Sequence, residues 1–294
     1  MSKINLHIHS NFSDGKLSPG QIVEKARKEK MAFLSLTDHD STRGVKRFLA
    51  ACREKNIICF PGVEISTEYH GKEFHLLGYN VNTKNKTLCG ILKKQREIRK
   101  EWAKKIIAKF EKLGFEINEK MAREILKNES VGKPHIRGLI LSSKKNIKKL
   151  KIEYDFEAKT GDFISLFINK PGQIGYVRKK KISTKQVILA IKNAGGLPVL
   201  AHPGVEFKNE KEFKRTAKYF IKWGLRGIET FYPYGEASNG KKIKFYSEFS
   251  KKHGLITTAG SDFHSEGNLK NIKIPKKEEN LIIKNLKKIN DQGF

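Results

Sequence analysis

Two histidines one residue apart, His7 and His9, sit in the alternating stretch Ile4-Asn5-Leu6-His7-Ile8-His9, which runs into the polar turn Ser10 to Gly15. Strand side chains alternate faces, so Ile4, Leu6 and Ile8 are expected in an apolar layer, with the imidazoles on the other face roughly 6–7 Å apart. Two imidazoles so placed can chelate one cation. Asp14, carried back over the strand end by the turn, adds a hard oxygen donor, and mixed nitrogen and oxygen donors suit divalent Mn, Fe or Zn. Six more donors of the same kinds follow: His39 in Thr37-Asp38-His39-Asp40, Glu64 after Gly62-Val63, His75, His202 before Pro203, and Asp262 and His264 in Gly260-Ser261-Asp262-Phe263-His264. The candidate set is therefore His7, His9, Asp14, His39, Glu64, His75, His202, Asp262 and His264. One ion takes about four to six ligands, so two or three ions are expected, with a glutamate such as Glu64 able to bridge a pair. Clustered divalent ions generate hydroxide near neutral pH and clamp the attacking and leaving oxygens of an in-line displacement. That chemistry favours phosphate-ester hydrolysis over amide or carboxyl-ester hydrolysis. No nucleophilic serine or cysteine stands out, and the glycines form no phosphate-cradling fingerprint.

The donors need a scaffold that brings distant segments to one face. Strand-length apolar runs occur at residues 4–8, 32–36, 57–63, 74–79, 197–201, 227–231 and 256–259. Helical periodicity fills most intervals, the first helix opening on the N-cap Ser18 with Pro19 behind it. Seven strands alternating mostly with helices predict an α/β fold with a parallel sheet closed into a barrel. His9, His39, Glu64, His202, Asp262 and His264 fall at or just beyond predicted strand ends, the face that carries chemistry in such folds. From about Leu88 to Ile182 the alternation stops. A long apolar stripe through Ile98, Trp102, Ile106 and Phe110, then segments near Met121–Leu126 and Pro134–Leu141, read as a helical insertion. The chain is thus expected to divide into residues 1–90, 91–182 and 183–294, the outer two forming one body. His70, in the turn Tyr69-His70-Gly71-Lys72, is expected to be exposed, and His253, before a helix-ending glycine, to be structural. The lysines between Lys144 and Lys151 read as a solvated face.

With 294 residues the chain can bury a sizeable core, and a net charge of +29 gives it a field that attracts RNA or phosphorylated metabolites. Lysine is spread along the whole chain, so the charge is equally a global bias of composition. Cys52, Cys59 and Cys89 show no framework or metal-binding spacing and are expected as unpaired core residues. No apolar run reaches membrane-spanning length, and Met1-Ser2-Lys3 leads straight into the first strand, so a cytoplasmic protein without membrane contact is expected. Nothing suggests an obligate protein partner.

Taken in order, His7-x-His9 with Ser13-Asp14-Gly15, Thr37-Asp38-His39-Asp40, Gly62-Val63-Glu64, His75-Leu76-Leu77-Gly78, Ala201-His202-Pro203 and Gly260-Ser261-Asp262-Phe263-His264 resemble the polymerase and histidinol phosphatase (PHP) family. The resemblance implies a distorted seven-stranded (β/α)7 barrel with a trinuclear metal site, its ligands the nine residues above, and manganese ahead of zinc or iron. Gly132-Lys133-Pro134-His135-Ile136 and Gly175-Tyr176-Val177 resemble the branch that removes phosphate from nucleoside 3′,5′-bisphosphates and trims 5′-phosphorylated RNA. Members of that branch often carry arginine where this chain has Lys133 and proline where it has Arg178. A phosphorylated nucleotide or short RNA is then the expected substrate, gripped by Lys133, His135, Arg137 and Arg178, with Arg43 as a further phosphate contact. Asp40 is a candidate general acid. Histidinol-phosphate hydrolysis, or nucleic-acid binding by an inactive relic, are the competing readings.

Overall fold

The computed structural model describes residues 3–128, 130–264, 267–269 and 272–291, with the side chains of 236–238 and 288–291 excepted. Met1 and Ser2, read above as leading directly into the first strand, lie outside them. The chain forms two compact units, residues 1–93 with 181–294, and residues 94–180.

In the first unit, β1 (Ile4–Ile8), α1 (Pro19–Lys28), β2 (Phe33–Leu36), α2 (Val45–Glu54), β3 (Ile58–Tyr69) and β4 (Lys72–Tyr79) precede the start of α3 (Lys86–Lys112). The second unit holds the rest of α3 with α4 (Glu119–Lys127), α5 (Lys133–Leu141), α6 (Lys144–Tyr154) and α7 (Phe163–Phe167). The first unit resumes at β5 (Ile182–Ser183), α8 (Thr184–Asn193), β6 (Leu197–Leu200), α9 (Pro203–Glu206), α10 (Glu210–Trp223), β7 (Gly227–Phe231), α11 (Glu236–Lys252), β8 (Ile256–Ala259) and α12 (Lys276–Asp291).

Among the described residues the sheet has eight strands, in the order β1-β2-β3-β4-β6-β7-β8 with β5 paired to β3. The expected count of seven misses β5, whose two residues are too few to carry a period. The expectation of a parallel sheet also needs correction. β4 runs antiparallel to both β3 and β6, because the tight turn at His70-Gly71 folds it straight back, and a parallel return would need a crossover. The path is open, with no ladder joining β1 to β8 among the described residues. An isolated parallel bridge joins Ile8 to Phe263, beyond β8.

Local chemistry explains the elements around the site. Ser18 caps α1 in a reciprocal box with Gln21. Ile22, Val23 and Ala26 of α1 and Phe48 of α2 pack with Leu34 and Leu36 of β2. Ile4 and Leu6 belong to a second cluster with Leu77, Val199 and, from α12, Ile282 and Leu286. Ile8 joins the α1–α2 cluster instead of the layer expected for it, since the β1–β2 register shifts between Asn5 and Ile8. Cys52 and Cys59 lie in the α1–α2 cluster as a disulfide, Cα atoms 6.4 Å apart, where unpaired thiols were expected. Seven residues of separation gave no framework signal, but the short α2–β3 connection brings the two together. Cys89 is free and exposed. His70 is exposed as expected, and His253 closes the C-terminus of α11.

In the helical unit, Trp102, Ile106 and Phe110 of α3 pack with Ile136, Leu139 and Ile140 of α5 and with Phe163 and Phe167 of α7. Lys144–Tyr154, read as a solvated basic face, is a helix with Leu150 buried and its lysines mostly outward. The basic loop before β5 is tied to α3, Trp102 Nε1 donating to Val177 O at 3.0 Å and Lys109 Nζ to Tyr176 O at 3.0 Å.

Candidate metal centre

Glu64 is the hub. The sequence places it at the end of a strand, but β3 runs on to Tyr69 in register with β4, so Glu64 stands mid-strand, opposite Leu77. A bridge to His39 sets it level with the end of β2. Its side chain is fully buried among imidazoles: Oε2 lies 3.3 Å from both His7 Nε2 and His9 Nε2 and 2.9 Å from His39 Nδ1. Oε1 lies 3.2 Å from His202 Nε2 and 3.4 Å from His75 Nδ1. Each oxygen therefore faces a different set of histidines.

All nine sequence-derived donors come together, in three groups whose ligand atoms lie within 4.8 Å of one another. His7, His9, Glu64 and Asp262 form one group, His9, Asp14, His39 and His264 the second, and Glu64, His75 and His202 the third. The rings of His7 and His9 are 5.1 Å apart, closer than strand rise alone implies, because both Nε2 atoms converge on Glu64 and on Asp262 Oδ1. In the second group His264 Nε2 lies 3.3 Å from Asp14 Oδ1.

The local backbone is shaped for this convergence. Asp40, His202 and Asp262 have φ of 53°, 25° and 53°, a region that L residues other than Asn and Asp rarely enter. At His202 such strain, about 1–3 kcal/mol, persists only where the surroundings over-determine it. Those surroundings are Glu229, whose Oε2 accepts the His202 N–H at 2.9 Å. The same fully buried carboxylate receives His7 Nδ1 at 3.0 and 3.1 Å. It thereby fixes the ring so that Nε2 faces the group. Gly260 is required beside it, since a Cβ there would collide with His7 Cβ and Glu229 Oε1.

Fit to divalent cations can be judged from the atoms themselves. His7 Nε2, His9 Nε2, Asp14 Oδ1, His39 Nδ1, Glu64 Oε2 and Asp262 Oδ1 are buried, lie close together and have no hydrogen-bond partner among the described residues. Buried polar atoms are almost always satisfied, so a cluster of converging orphans of both donor types fits metal ions well. Protons hold the positive charge otherwise. Burial alone would lower the His9 pKa, but the close carboxylates of Asp262 and Glu64 raise it to about 10. His75 rises to about 9, the field of Glu64 ahead of Glu73 and Glu206 outweighing its burial. The histidines in turn hold Asp14 and Glu64 well below the usual carboxylate range despite their burial.

A pH dependence follows for the metal-stripped protein. The raised His9 and His75 contribute stability fully present below their ordinary 6.5 and lost as pH climbs through about 9 and 10. Depressed Asp14 and Glu64 act oppositely, losing their contribution only as strong acid protonates them. The Tm of chelator-treated protein is therefore expected to fall steadily from about pH 6.5 to 10, and the manganese-loaded protein to fall less. A flat metal-free profile across that interval would contradict the coupling.

Asp40 is fully buried, and its Oδ1 accepts the Ser66 N–H at 3.1 Å. Arg43 is exposed in the loop before α2. The other phosphate candidates lie in the helical unit. Lys133 donates to Asn169 Oδ1 at 2.6 Å, and His135 Nδ1 accepts the Gly132 N–H at 3.1 Å in the first turn of α5. Arg137 and Arg178 are exposed.

Sequence reasoning missed Glu229, Asp38, Glu206 and Tyr232. Asp38 is buried, takes hydrogen bonds from Ser10 N and Oγ and Ser13 Oγ at 2.7 Å each, and has its pKa raised by that burial. Glu206 Oε1 lies 3.4 Å from His202 Nδ1 and 3.7 Å from His75 Nδ1. The Tyr232 hydroxyl lies 3.5 Å from Asp262 Oδ2 and stays protonated, burial and Asp262 raising its pKa. Glu229 alone had a visible signal, a carboxylate inside the apolar strand Gly227-Ile228-Glu229-Thr230-Phe231.

The arrangement is that of a hydrolase acting on phosphate esters with metal. The chain belongs to the PHP domain family, whose model matches residues 5–174, and within it is a metal-dependent phosphoesterase. It is 29% identical over 270 residues to a 3′,5′-nucleoside bisphosphate phosphatase of Chromobacterium violaceum, covering 91% of this chain and 89% of the relative. The 5′-3′ exoribonuclease Rnm of Escherichia coli is 28% identical over 268 residues, with 88% and 84% covered. A solved Chromobacterium violaceum structure, described as an amidohydrolase with bound sulfate and no metal, matches with a TM-score of 0.81 at 26% identity, over 98% of this chain and 97% of that one. No helix among the described residues is long and apolar enough to cross a membrane.

Proposed function

We propose that the protein hydrolyses phosphate esters of nucleotides, its substrates being nucleoside 3′,5′-bisphosphates or the 5′-phosphorylated ends of RNA. The observation that carries this reading is the convergence of nine donors into three groups around Glu64. The two relatives named for bisphosphate and RNA-end hydrolysis support the substrate class. We read the nine residues as ligands of two or three divalent ions, manganese first, zinc or iron as alternatives. Ions so held supply Lewis acidity at a phosphoryl oxygen and a water of lowered pKa.

The chain's own part is to hold and orient. Glu64 offers one oxygen to each of two groups, and Glu229 aims His7 and pins the strained His202 backbone. The protonated Tyr232 hydroxyl is a hydrogen-bond donor beside Asp262. Asp40 remains the proposed general acid, its Oδ1 steadied by the Ser66 N–H. Lys133, His135, Arg137, Arg178 and Arg43 remain the proposed phosphate contacts, and residues 91–182 the proposed insertion that supplies the first four. Closure of the sheet into a distorted barrel is supported by the Ile8–Phe263 bridge, with His9 N donating to Phe263 O at 2.8 Å. The proposed setting is the cytoplasm, where nucleotide and RNA substrates are made.

The test is product analysis of a short 5′-phosphorylated RNA, and of adenosine 3′,5′-bisphosphate, with manganese-loaded protein and an Asp262→Ala control. Mononucleotides released from the 5′ end, or inorganic phosphate from the bisphosphate, are expected only without the substitution. Inertness toward both, with histidinol phosphate cleaved, would move the protein to the other phosphatase reading.

A further inference from the structure

The outer face of α10 and its junction with α11 carry two adjoining depressions, of about 650 and 550 Å3. Lys211, Lys214, Arg215, Lys218 and Tyr219 line the first, with Glu210 at its edge. The second shares Lys214 and Lys218 and continues over Phe245 and Phe249 to Lys252 and His253, with Glu248 as its acid. Five Lys and Arg side chains thus face two carboxylates, and Glu210 is already paired to Lys214 at 3.1 Å.

Rings and cations are interleaved along this groove. Lys214 Nζ sits 4.9 Å above the Phe245 ring, and Phe249 forms buried floor. Tyr219 is 48% exposed, and the aromatic surface continues to Trp223, 6.3 Å away, and to Tyr69, 6.0 Å away. Cations that track a backbone beside rings that can stack on bases are what a single-stranded nucleic acid needs.

The groove also starts in the right place. Glu206, 3.4 Å from His202, is four residues before Glu210, so the first turn of α10 begins within about 14 Å of chain from the third metal group. Lys72 fastens that turn to β4 by its 2.6 Å contact with Glu212.

We propose that the α10–α11 groove binds the body of a single-stranded RNA whose 5′-phosphorylated end lies at the metal centre. This rests on RNA ends being substrates, and it gives part of the +29 charge a location. A small bisphosphate reaches only the metal centre, whereas a longer strand uses both.

The probe is a 3′-labelled ten-nucleotide oligoadenylate, 5′-phosphorylated and with hydrolysis-resistant phosphorothioate linkages, read by fluorescence anisotropy against manganese-loaded full-length protein. The triple substitution Lys214→Gln, Arg215→Gln and Lys218→Gln is expected to weaken binding at least about tenfold. It should also flatten the slope of log affinity against log salt by about 2, three phosphate contacts at ~0.7 each. Turnover of adenosine 3′,5′-bisphosphate should be unchanged, which also reports that the variant is folded. Equal affinity and equal slope would overturn the proposal and leave the face to an acidic protein or to solvent. If the substitutions weaken oligoadenylate binding but the unsubstituted protein hydrolyses neither RNA nor bisphosphate, the groove stands and the substrate reading fails.

Discussion

Replacing Glu64 with glutamine is expected to lower kcat on the order of 10³-fold and to remove at least one equivalent of bound metal. The change is isosteric, so the loss reports charge and donor capacity rather than packing. Glu64 is the sole carboxylate of the group with His75 and His202, and it also belongs to the group with His7, His9 and Asp262. An amide keeps one oxygen donor, and its nitrogen would face imidazole nitrogens at about the 3.2–3.4 Å now spanned by Oε1 or the 2.9–3.3 Å spanned by Oε2. Preorganised charge at a reacting centre is worth about 10²–10³ in rate for a single group, and Glu64 serves two groups. Metal per protein by elemental analysis, alongside turnover of a phosphate ester, checks this. Full metal content with full turnover would remove Glu64 from its role as hub.

The second large effect is expected at a residue that touches no substrate. Glu229→Gln should weaken metal affinity about 10–100-fold, the usual cost of losing the carboxylate behind a ligating histidine. Both Glu229 oxygens lie near His7 Nδ1, and one also takes the His202 N–H. Glutamine keeps one acceptor oxygen for both donors but brings no charge and sets an NH2 group where the second oxygen now faces His7 Nδ1, so the hold on the His7 ring weakens. With saturating metal, KM for a small phosphate ester should move little while kcat recovers. Competition against a fluorescent chelator measures the affinity, and an unchanged value would make Glu229 a packing residue.

Legibility in the sequence followed how much of each feature is written in residue type. His9, His39, His202, Asp262 and His264 were readable because imidazoles and carboxylates gathered at strand ends have few other uses, and His7 because it shares a strand face with His9. Glu229 escaped because one carboxylate in an otherwise apolar strand carries no spacing, and its meaning appears only when His7 and His202 arrive from other strands. The antiparallel course of β4 was implicit in the turn at Gly71, but the surrounding strand–helix alternation weighed toward a parallel sheet. β5 was too short to carry a period. Lys133 and His135 were visible as chemistry, yet each also has a structural contact, Lys133 with Asn169 after α7 and His135 with Gly132 at its own helix start.

The first strand and the last polar loop meet at the site, Asn5 donating to Ser261 across 256 positions of chain and His7 lying against Asp262. During synthesis, at about 5–20 residues per second, the N-terminal donors emerge well before the segment that completes two of the three groups. A nascent chain therefore carries His7, His9 and Glu64 without Asp262 or His264. Assembly of the complete donor set thus waits until the segment carrying Asp262 and His264 has left the ribosome and folded back onto the first strand.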